Sequence, residues 1–238
     1  MRRWIIAAVV CTAWSIAQGT QPGAKPVQPA MSVVEKLLGS VHGLDASRNP
    51  EISQLIETIR RNPTPYIPLL GARVQPDVIA NGDDETVRQA EIAAALLVRA
   101  CGESGRMLAA RHFDALHTQS LEIHSRLARP AAKDEKARRS DVVEAQRADR
   151  LVSVARTIVA EFAAARDARL RDGLVARFPK DDYITQVASL NYFEKATPAD
   201  PRVQALLRAQ YESKKSGFYR SERVRALIEP GKSGAKQP

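Results

Sequence analysis

Cysteine and tryptophan are scarce, and most of them lie near the amino end of the chain. The 238 residues include two cysteines and two tryptophans, and Trp4, Cys11 and Trp14 lie within the first fourteen residues. If a leader of seventeen residues is removed, Cys101 is the only thiol left, and no disulfide can form within one chain. Cys101 follows an apolar run and has no acidifying neighbour in the sequence, which favours a buried small side chain over a catalytic thiol.

Sequence signatures of known catalytic sites are also missing. The chain has no glycine-rich phosphate loop, no cysteine pair at metal-binding spacing, no histidines flanking a glutamate and no serine nucleophile elbow. His112, His117 and His124 lie close together, but on one helix the last two are roughly 10 Å apart along the axis, too far to hold one metal ion. We expect no catalytic, cofactor-binding or metal-binding residue and no cofactor, and we interpret these histidines as surface or half-buried helix residues.

The first seventeen residues look like a secretory signal peptide. Two arginines precede an uncharged, largely apolar run, 4–17, which ends in the small residues that a signal peptidase reads. The run is shorter than the roughly 20 residues of a membrane span, which disfavours an anchor. A lipoprotein signal at Cys11 is a third alternative, and the valine before that cysteine disfavours it. We predict cleavage near Ala17, no membrane span in the mature chain, and a periplasmic or secreted protein.

Helix-start signals recur along the mature chain, and strand signals are missing. Ser32 and Glu35 have the spacing of a capping box. An asparagine, threonine or aspartate stands before proline at 49–50, 64–65 and 200–201, which is typical of a helix start. Apolar residues follow the first and last of these pairs at spacings of three and four, and the short helix predicted after the middle pair is expected to stop at Gly71. The sequence therefore predicts an all-α protein.

Composition divides the chain into regions. Residues 18–31 are rich in proline, glycine and glutamine, which predicts a flexible tether. Residues 129–139 are mostly charged or small, which predicts a linker between an N-terminal helical region, 32–128, and a C-terminal one, 140–229. Residues 230–238 are predicted to form a disordered tail.

The longest apolar periodicity lies in the C-terminal region. It runs from Leu151 to Phe178 and predicts one long helix, or two helices that break near Gly173. The acids Asp181 and Asp182 precede the next apolar run, so we interpret both as helix-start residues that oppose the helix dipole.

A segment that begins at Val87 resembles a HEAT-type helical hairpin. The resemblance covers about 35 residues and rests on Val87, Arg88, Gln89, Ala90, Ala94, Leu96, Gly102, Leu108 and Leu116. It implies paired helices stacked in an array. A preceding pair can be drawn from Pro50, 34 residues before Asp84, but no third copy continues at that interval. The predicted fold is therefore an irregular helical-hairpin array or bundle, with HEAT-like repeats as one form of it.

Positive charge and aromatic residues are concentrated near the carboxyl end. From Pro201 to Pro238 there are nine lysines or arginines and three glutamates. Basic residues interleaved with aromatics can bind nucleic acid, but an exported protein seldom meets it, so anionic lipid, an acidic polymer or an acidic protein is the better partner. Alternatively, the aromatics fill the core and the charges form a solvated face. The candidate partner-binding residues are Lys214, Lys215, Arg220, Arg223 and Arg225.

Three functions are consistent with these observations. The leading hypothesis is an exported, non-enzymatic interaction or scaffold protein whose partner is another protein. The alternatives are an adaptor that binds an anionic envelope surface through its basic C-terminal region, and an envelope hydrolase of unrecognised type. A cleft that gathers His117 or His124 with acids would favour the hydrolase, and a long concave groove without such groups would favour the scaffold.

Overall fold

The structure is a computed structural model that describes residues 28–40, 44–45, 50–128, 135–213 and 222–228. Within these ranges there are eleven α-helices and no strand, which confirms the predicted all-α class. No helix among them is both long and apolar enough to cross a bilayer. The predicted signal peptide and C-terminal tail lie outside the described residues. The helices are α1 Gln28–Leu38, α2 Pro50–Arg61, α3 Ile67–Arg73, α4 Pro76–Asn81, α5 Asp84–Arg99, α6 Gly102–Leu127, α7 Glu135–Ala164, α8 Arg171–Arg177, α9 Tyr183–Ala196, α10 Pro201–Glu212 and α11 Glu222–Ile228.

Helix α7 joins the two predicted helical regions into one core. It packs against α4, α5, α6 and α9, and its Leu151, Val154, Ile158 and Phe162 are fully buried. The linker was predicted to extend to residue 139, but residues 135–139 already belong to α7, which begins at Glu135. The two regions are therefore halves of one hydrophobic core.

The direction of α7 follows from its polar contacts with α5. The Ser153 hydroxyl donates to Glu91 at 2.6 Å, and Arg99 donates to Glu161. Both contacts join residues 62 positions apart in the chain, so α5 and α7 run in the same direction. Helix α6, which follows α5 after two residues, packs against both.

Two helix boundaries in the N-terminal region differ from the predicted ones. Helix α1 begins at Gln28 and not at Ser32, so Ser32 lies inside the helix and is not a cap. Pro29 occupies the first turn of α1, where its missing N–H breaks no helical hydrogen bond. Helix α3 continues through Gly71, which was expected to end it. A Cβ at Gly71 would lie 2.7 Å from a methyl carbon of Leu108, so this glycine allows α6 to approach closely.

The predicted break near Gly173 is wrong, because the chain leaves α7 earlier. Arg166 has φ 51°, a left-handed conformation that ends the helix. The Asp167 carboxylate then accepts a hydrogen bond from the Arg169 N–H at 3.0 Å and caps a single 3₁₀ turn. Gly173 lies inside α8. The apolar periodicity therefore continues on a separate helix.

Aromatic residues fill the core of the C-terminal half. Phe178, Tyr192 and Phe193 are fully buried, and the Phe193 ring lies 5.8 Å from that of Phe178 and 6.0 Å from that of Tyr192. The Tyr192 hydroxyl donates to the backbone oxygen of Asp167 at 2.8 Å. These three aromatics therefore fill the core, as the second interpretation of the sequence has it, and do not form a surface on which a ligand could stack.

Helices α5 and α6 form a helical hairpin in the segment for which the sequence predicts a HEAT-type one, and its HEAT-type character stays a prediction. Two residues, Ala100 and Cys101, join them, and Gly102 takes a φ of 60° at the turn. Helix lengths in the described part of the chain range from six to thirty residues, so regular repetition stays a prediction.

Candidate binding cleft

One face of α6 is joined by polar contacts to the segment 167–181, which leads from the end of α7 to the start of α9. The four positions on α6 fall on one side of the helix because they are spaced by three, eight and three residues. These contacts hold the segment 167–181 against α6. The contacts are Glu103–Arg169 at 2.9 Å, Arg106–Asp167 at 3.4 Å, Asp114–Arg177 at 2.8 Å and His117–Asp181 at 2.8 Å.

The last contact of this row is the most buried. His117 Nε2 lies 2.8 Å from Asp181 Oδ1, and the two side chains are 6% and 2% exposed. His117 Nδ1 and Asp181 Oδ2 are buried and have no hydrogen-bond partner in the described part of the chain. The Phe113 ring is tilted against the imidazole at 5.9 Å between ring centres, and the Arg177 guanidinium lies 5.3 Å from the centre of the Phe113 ring.

The predicted helix-start role is correct for Asp182 and wrong for Asp181. Asp182 is the N-cap of α9, and its carboxylate accepts hydrogen bonds from the backbone N–H and the hydroxyl of Thr185 at 2.9 and 2.8 Å. Burial raises the pKa of Asp182, but the Thr185 hydrogen bonds and the charge of Arg156 bring this pKa below its ordinary value. Asp181 instead bonds His117, 64 residues earlier.

A cleft of about 250 Å³ is lined by α6, by α7, by the first turns of α9 and by the residues just before α9. His117 and Asp181 are both lining residues, and on α6 the lining extends from Phe113, one turn before His117, to His124, two turns after it. The cleft is mainly apolar, and its polar residues include His124, Arg156 and Lys180. The apolar walls are formed by Phe113, Leu121, Val152, Ala155, Val159 and Ala188.

Two large apolar side chains stand beside the cleft. Tyr183 and Ile184, in the first turn of α9, are 62% and 57% exposed. They directly follow Asp182, which lines the cleft. We call these two side chains the rim of the cleft.

No protein-family model matches this chain, and neither curated proteins nor solved structures gave a match. The cleft is therefore interpreted from its own residues.

The predicted partner-binding residues are not part of the cleft as far as the structure describes them. Arg223 of α11 forms hydrogen bonds with Glu194 and Asn191 of α9, and its bond to Glu194 raises the pKa of the guanidinium. Arg225 is exposed. The remaining candidates, Lys214, Lys215 and Arg220, lie outside the described residues.

The histidines differ from the expectation of surface or half-buried positions. His112 and His117 are buried, whereas His124 is exposed. The expectation was wrong for the first two because α6 is covered by α3, α5 and α7, and by the segment 167–181. Burial lowers the pKa of His112, whose Nε2 has no hydrogen-bond partner in the described chain.

Cys101 is a buried small side chain, as its sequence context predicts. Cys101 is 1% exposed, and burial raises its pKa to about 12, so the thiolate is disfavoured. Within the described ranges, no three histidine, cysteine, aspartate or glutamate side chains are grouped to hold a metal ion.

The cleft has no signature in the local sequence. Asp181 and Asp182 look alike in sequence, and the first turn of α9 carries no signal that Tyr183 and Ile184 stay exposed. The three histidines were the only hint, since His117 and His124 both line the cleft.

Proposed function

We propose that the protein is an exported, non-enzymatic interaction protein and that the cleft between α6, α7 and α9 receives side chains of a partner protein. The observation that carries this proposal is the exposure of Tyr183 and Ile184 beside apolar walls. Aromatic and large apolar residues next to a pocket are typical of the energetically dominant part of a protein interface. Export rests on the leader-like sequence of residues 1–17.

The size of the cleft supports a side-chain ligand over a whole small molecule. Its volume, about 250 Å³, is below the roughly 300–1,000 Å³ of typical small-molecule sites. One or two side chains of a docking segment suit such a space. The exposed rim then supplies the rest of the contact area.

An envelope hydrolase is the second candidate, and the His117–Asp181 contact favours it. In that function Asp181 would orient the imidazole, and His117 would act as the general base on a water molecule. The interaction function ranks first for two reasons. His117 Nδ1 is buried, so a substrate does not reach it in this conformation. The nearby Ser120 is 2% exposed, and its hydroxyl donates to the His117 backbone oxygen at 2.8 Å. This hydroxyl is therefore not oriented to act as a nucleophile.

The adaptor alternative has less structural support. Arg223 is already paired with an acid on the neighbouring helix, which reduces the positive charge it can offer an anionic surface. The alternative therefore depends on Arg225 and on Lys214, Lys215 and Arg220.

A site-specific photocrosslinker tests the interaction function. The probe replaces Tyr183 in the full chain, in the cell that makes the protein, and Val78, 42% exposed on α4, serves as the control position. We expect one defined protein adduct at 183 and none at 78. The variant Ala188→Trp fills the cleft and should abolish that adduct, whereas Ala176→Trp, at an exposed alanine of α8, should not. Adducts of equal yield at both positions, or adducts that persist in Ala188→Trp, would contradict the proposal.

A further inference from the structure

The segment 179–183, which leads into α9, forms an edge beside the cleft. Its exposed residues are Pro179, Lys180, Asp182 and Tyr183. Asp181, between the two charges, is turned inward, and its side chain is 2% exposed. In chain order the segment is therefore apolar, positive, buried, negative and apolar. This order is complementary to itself when two copies of the segment run in opposite directions.

The two exposed charges of the segment are not paired with each other. Lys180 forms no ion pair within the described part of the chain. The Asp182 carboxylate caps α9 through its hydrogen bonds with Thr185, and in the described residues it has no ion-pair partner either, although the charge of Arg156 acts on it. The segment thus offers one positive and one negative group to a surface that carries the reverse arrangement.

The rim and the cleft give the same face an apolar projection and an apolar recess. Tyr183 and Ile184 are 62% and 57% exposed, and Ala188, one helical turn after Ile184, lines the cleft. A face with both features can meet a second copy of itself, because a two-fold axis places each projection against the other copy's recess. One contact is then made twice.

The charge balance of the cleft also favours a copy of this chain as the partner. The chain has a net formal charge of +9, so two copies repel each other wherever their positive surfaces meet. Among the residues that line the cleft, Arg156 and Lys180 are balanced by Asp181 and Asp182 when the histidines are neutral. Two copies that meet at this face therefore bring no net charge together, whereas an acidic partner would match a basic face.

From this arrangement we infer that the partner at the cleft is a second copy of this chain, docked across a two-fold axis beside Asp181. Lys180 of each copy then faces Asp182 of the other. Tyr183 of each copy meets Pro179 of the other, and the neighbouring Ile184 packs on the other's apolar walls. The inference rests on the proposed function, because it names the partner that fills the same cleft.

Sedimentation equilibrium of the full chain, purified from the cell that makes it, tests the dimer. We expect the average mass to rise with concentration from one copy to two. Lys180→Glu places like charges opposite each other in both contacts and should weaken the dimer at least about 10-fold. Lys195→Glu is the matched control, because it changes the net charge equally at an exposed lysine of α9 that does not line the cleft. Circular dichroism checks that each variant is folded.

A carbodiimide, which joins a lysine amine to a carboxylate in contact with it, tests the pairing itself. Isotope-labelled and unlabelled copies are mixed before the reaction, so that a crosslink between copies carries both isotopes. We expect a mixed-isotope crosslink from Lys180 to Asp182. Its absence from a dimer that does form would show that the two copies meet at another surface, which overturns the inference.

Two further results would overturn the inference and leave the proposed function standing. One is a chain that sediments as a monomer at every concentration while the Tyr183 probe yields an adduct with a different protein. The other is a dimer that Lys180→Glu and Lys195→Glu weaken equally. If Lys180→Glu weakens the dimer but Ala188→Trp leaves it unchanged, the cleft receives no side chain, and the proposed function fails while the pairing across the two-fold axis stands.

Discussion

Glu161 of α7 accepts two hydrogen bonds from the guanidinium of Arg99, the last residue of α5. The Glu161 side chain is 11% exposed and that of Arg99 is 44% exposed. The hydrogen bonds to Glu161 raise the pKa of Arg99. This contact fixes the ends of two parallel helices that are far apart in the chain.

The variant Glu161→Gln should lower the free energy of unfolding by about 1–2 kcal/mol, because a hydrogen bond to a charged group in a partly buried site is lost. Arg61→Gln should change it by less than about 0.5 kcal/mol, since the Arg61–Glu57 pair is exposed. Urea denaturation measures both. Equal effects would mean that the Arg99–Glu161 contact is no stronger than a surface pair.

Protonation of His112 should make the protein less stable in mild acid. Burial lowers the pKa of His112 in the folded state from 6.5, so the unfolded chain binds a proton at a pH where the folded chain does not. The free energy of unfolding should therefore fall as pH drops below about 6.5 towards the lowered value. His112→Leu should flatten this dependence.

The matched control is His124→Leu, because His124 is exposed on the same helix. Denaturant titrations at intervals between pH 7 and pH 5 separate the two variants. A His112→Leu protein with the same pH dependence as the wild type would show that another group causes the loss.

Replacing Asp181 should cost more stability than replacing its neighbour. Asp181→Ala leaves both ring nitrogens of the buried His117 without a partner, which costs about 1–3 kcal/mol. Asp182→Ala removes a helix N-cap, which costs about 1 kcal/mol. Thermal unfolding of the two proteins gives the order. If Asp182→Ala proves the more destabilising, the His117–Asp181 contact contributes little to the free energy of unfolding.

Two glycines in helices should respond to alanine with opposite signs. A Cβ at Gly105 would lie 2.3 Å from the Cys101 Cβ and 2.4 Å from the Leu97 oxygen, so Gly105→Ala should destabilise by about 1–3 kcal/mol. The nearest atoms to a Cβ at Gly173 are 3.7 Å away, so Gly173→Ala should stabilise α8 by about 0.5–1 kcal/mol. Melting temperatures of both variants test this contrast, and a shift in the same direction would contradict it.

Local signals predicted helix starts well because caps act within a few residues. Asp83 accepts a hydrogen bond from the Thr86 N–H at 2.8 Å, and Asp200 accepts bonds from the Arg202 and Val203 N–H groups. The end of α7 was not predicted because Arg166 adopts a left-handed conformation. Glycine or asparagine usually marks such a helix end, and neither stands at this position. The cleft was missed because its polar residues depend on long-range partners, as the 64-residue separation of His117 and Asp181 illustrates.

The parallel packing of α5 and α7 has a consequence for synthesis. The second half of helix α5 is buried almost throughout, yet its partner contacts on α7 come 62 residues later in the chain. At about 5–20 residues per second, a ribosome needs roughly 3–12 s to deliver them. During that interval the apolar surface of α5 is not yet covered by α7. A newly made chain is therefore most prone to aggregation before α7 has emerged from the ribosome.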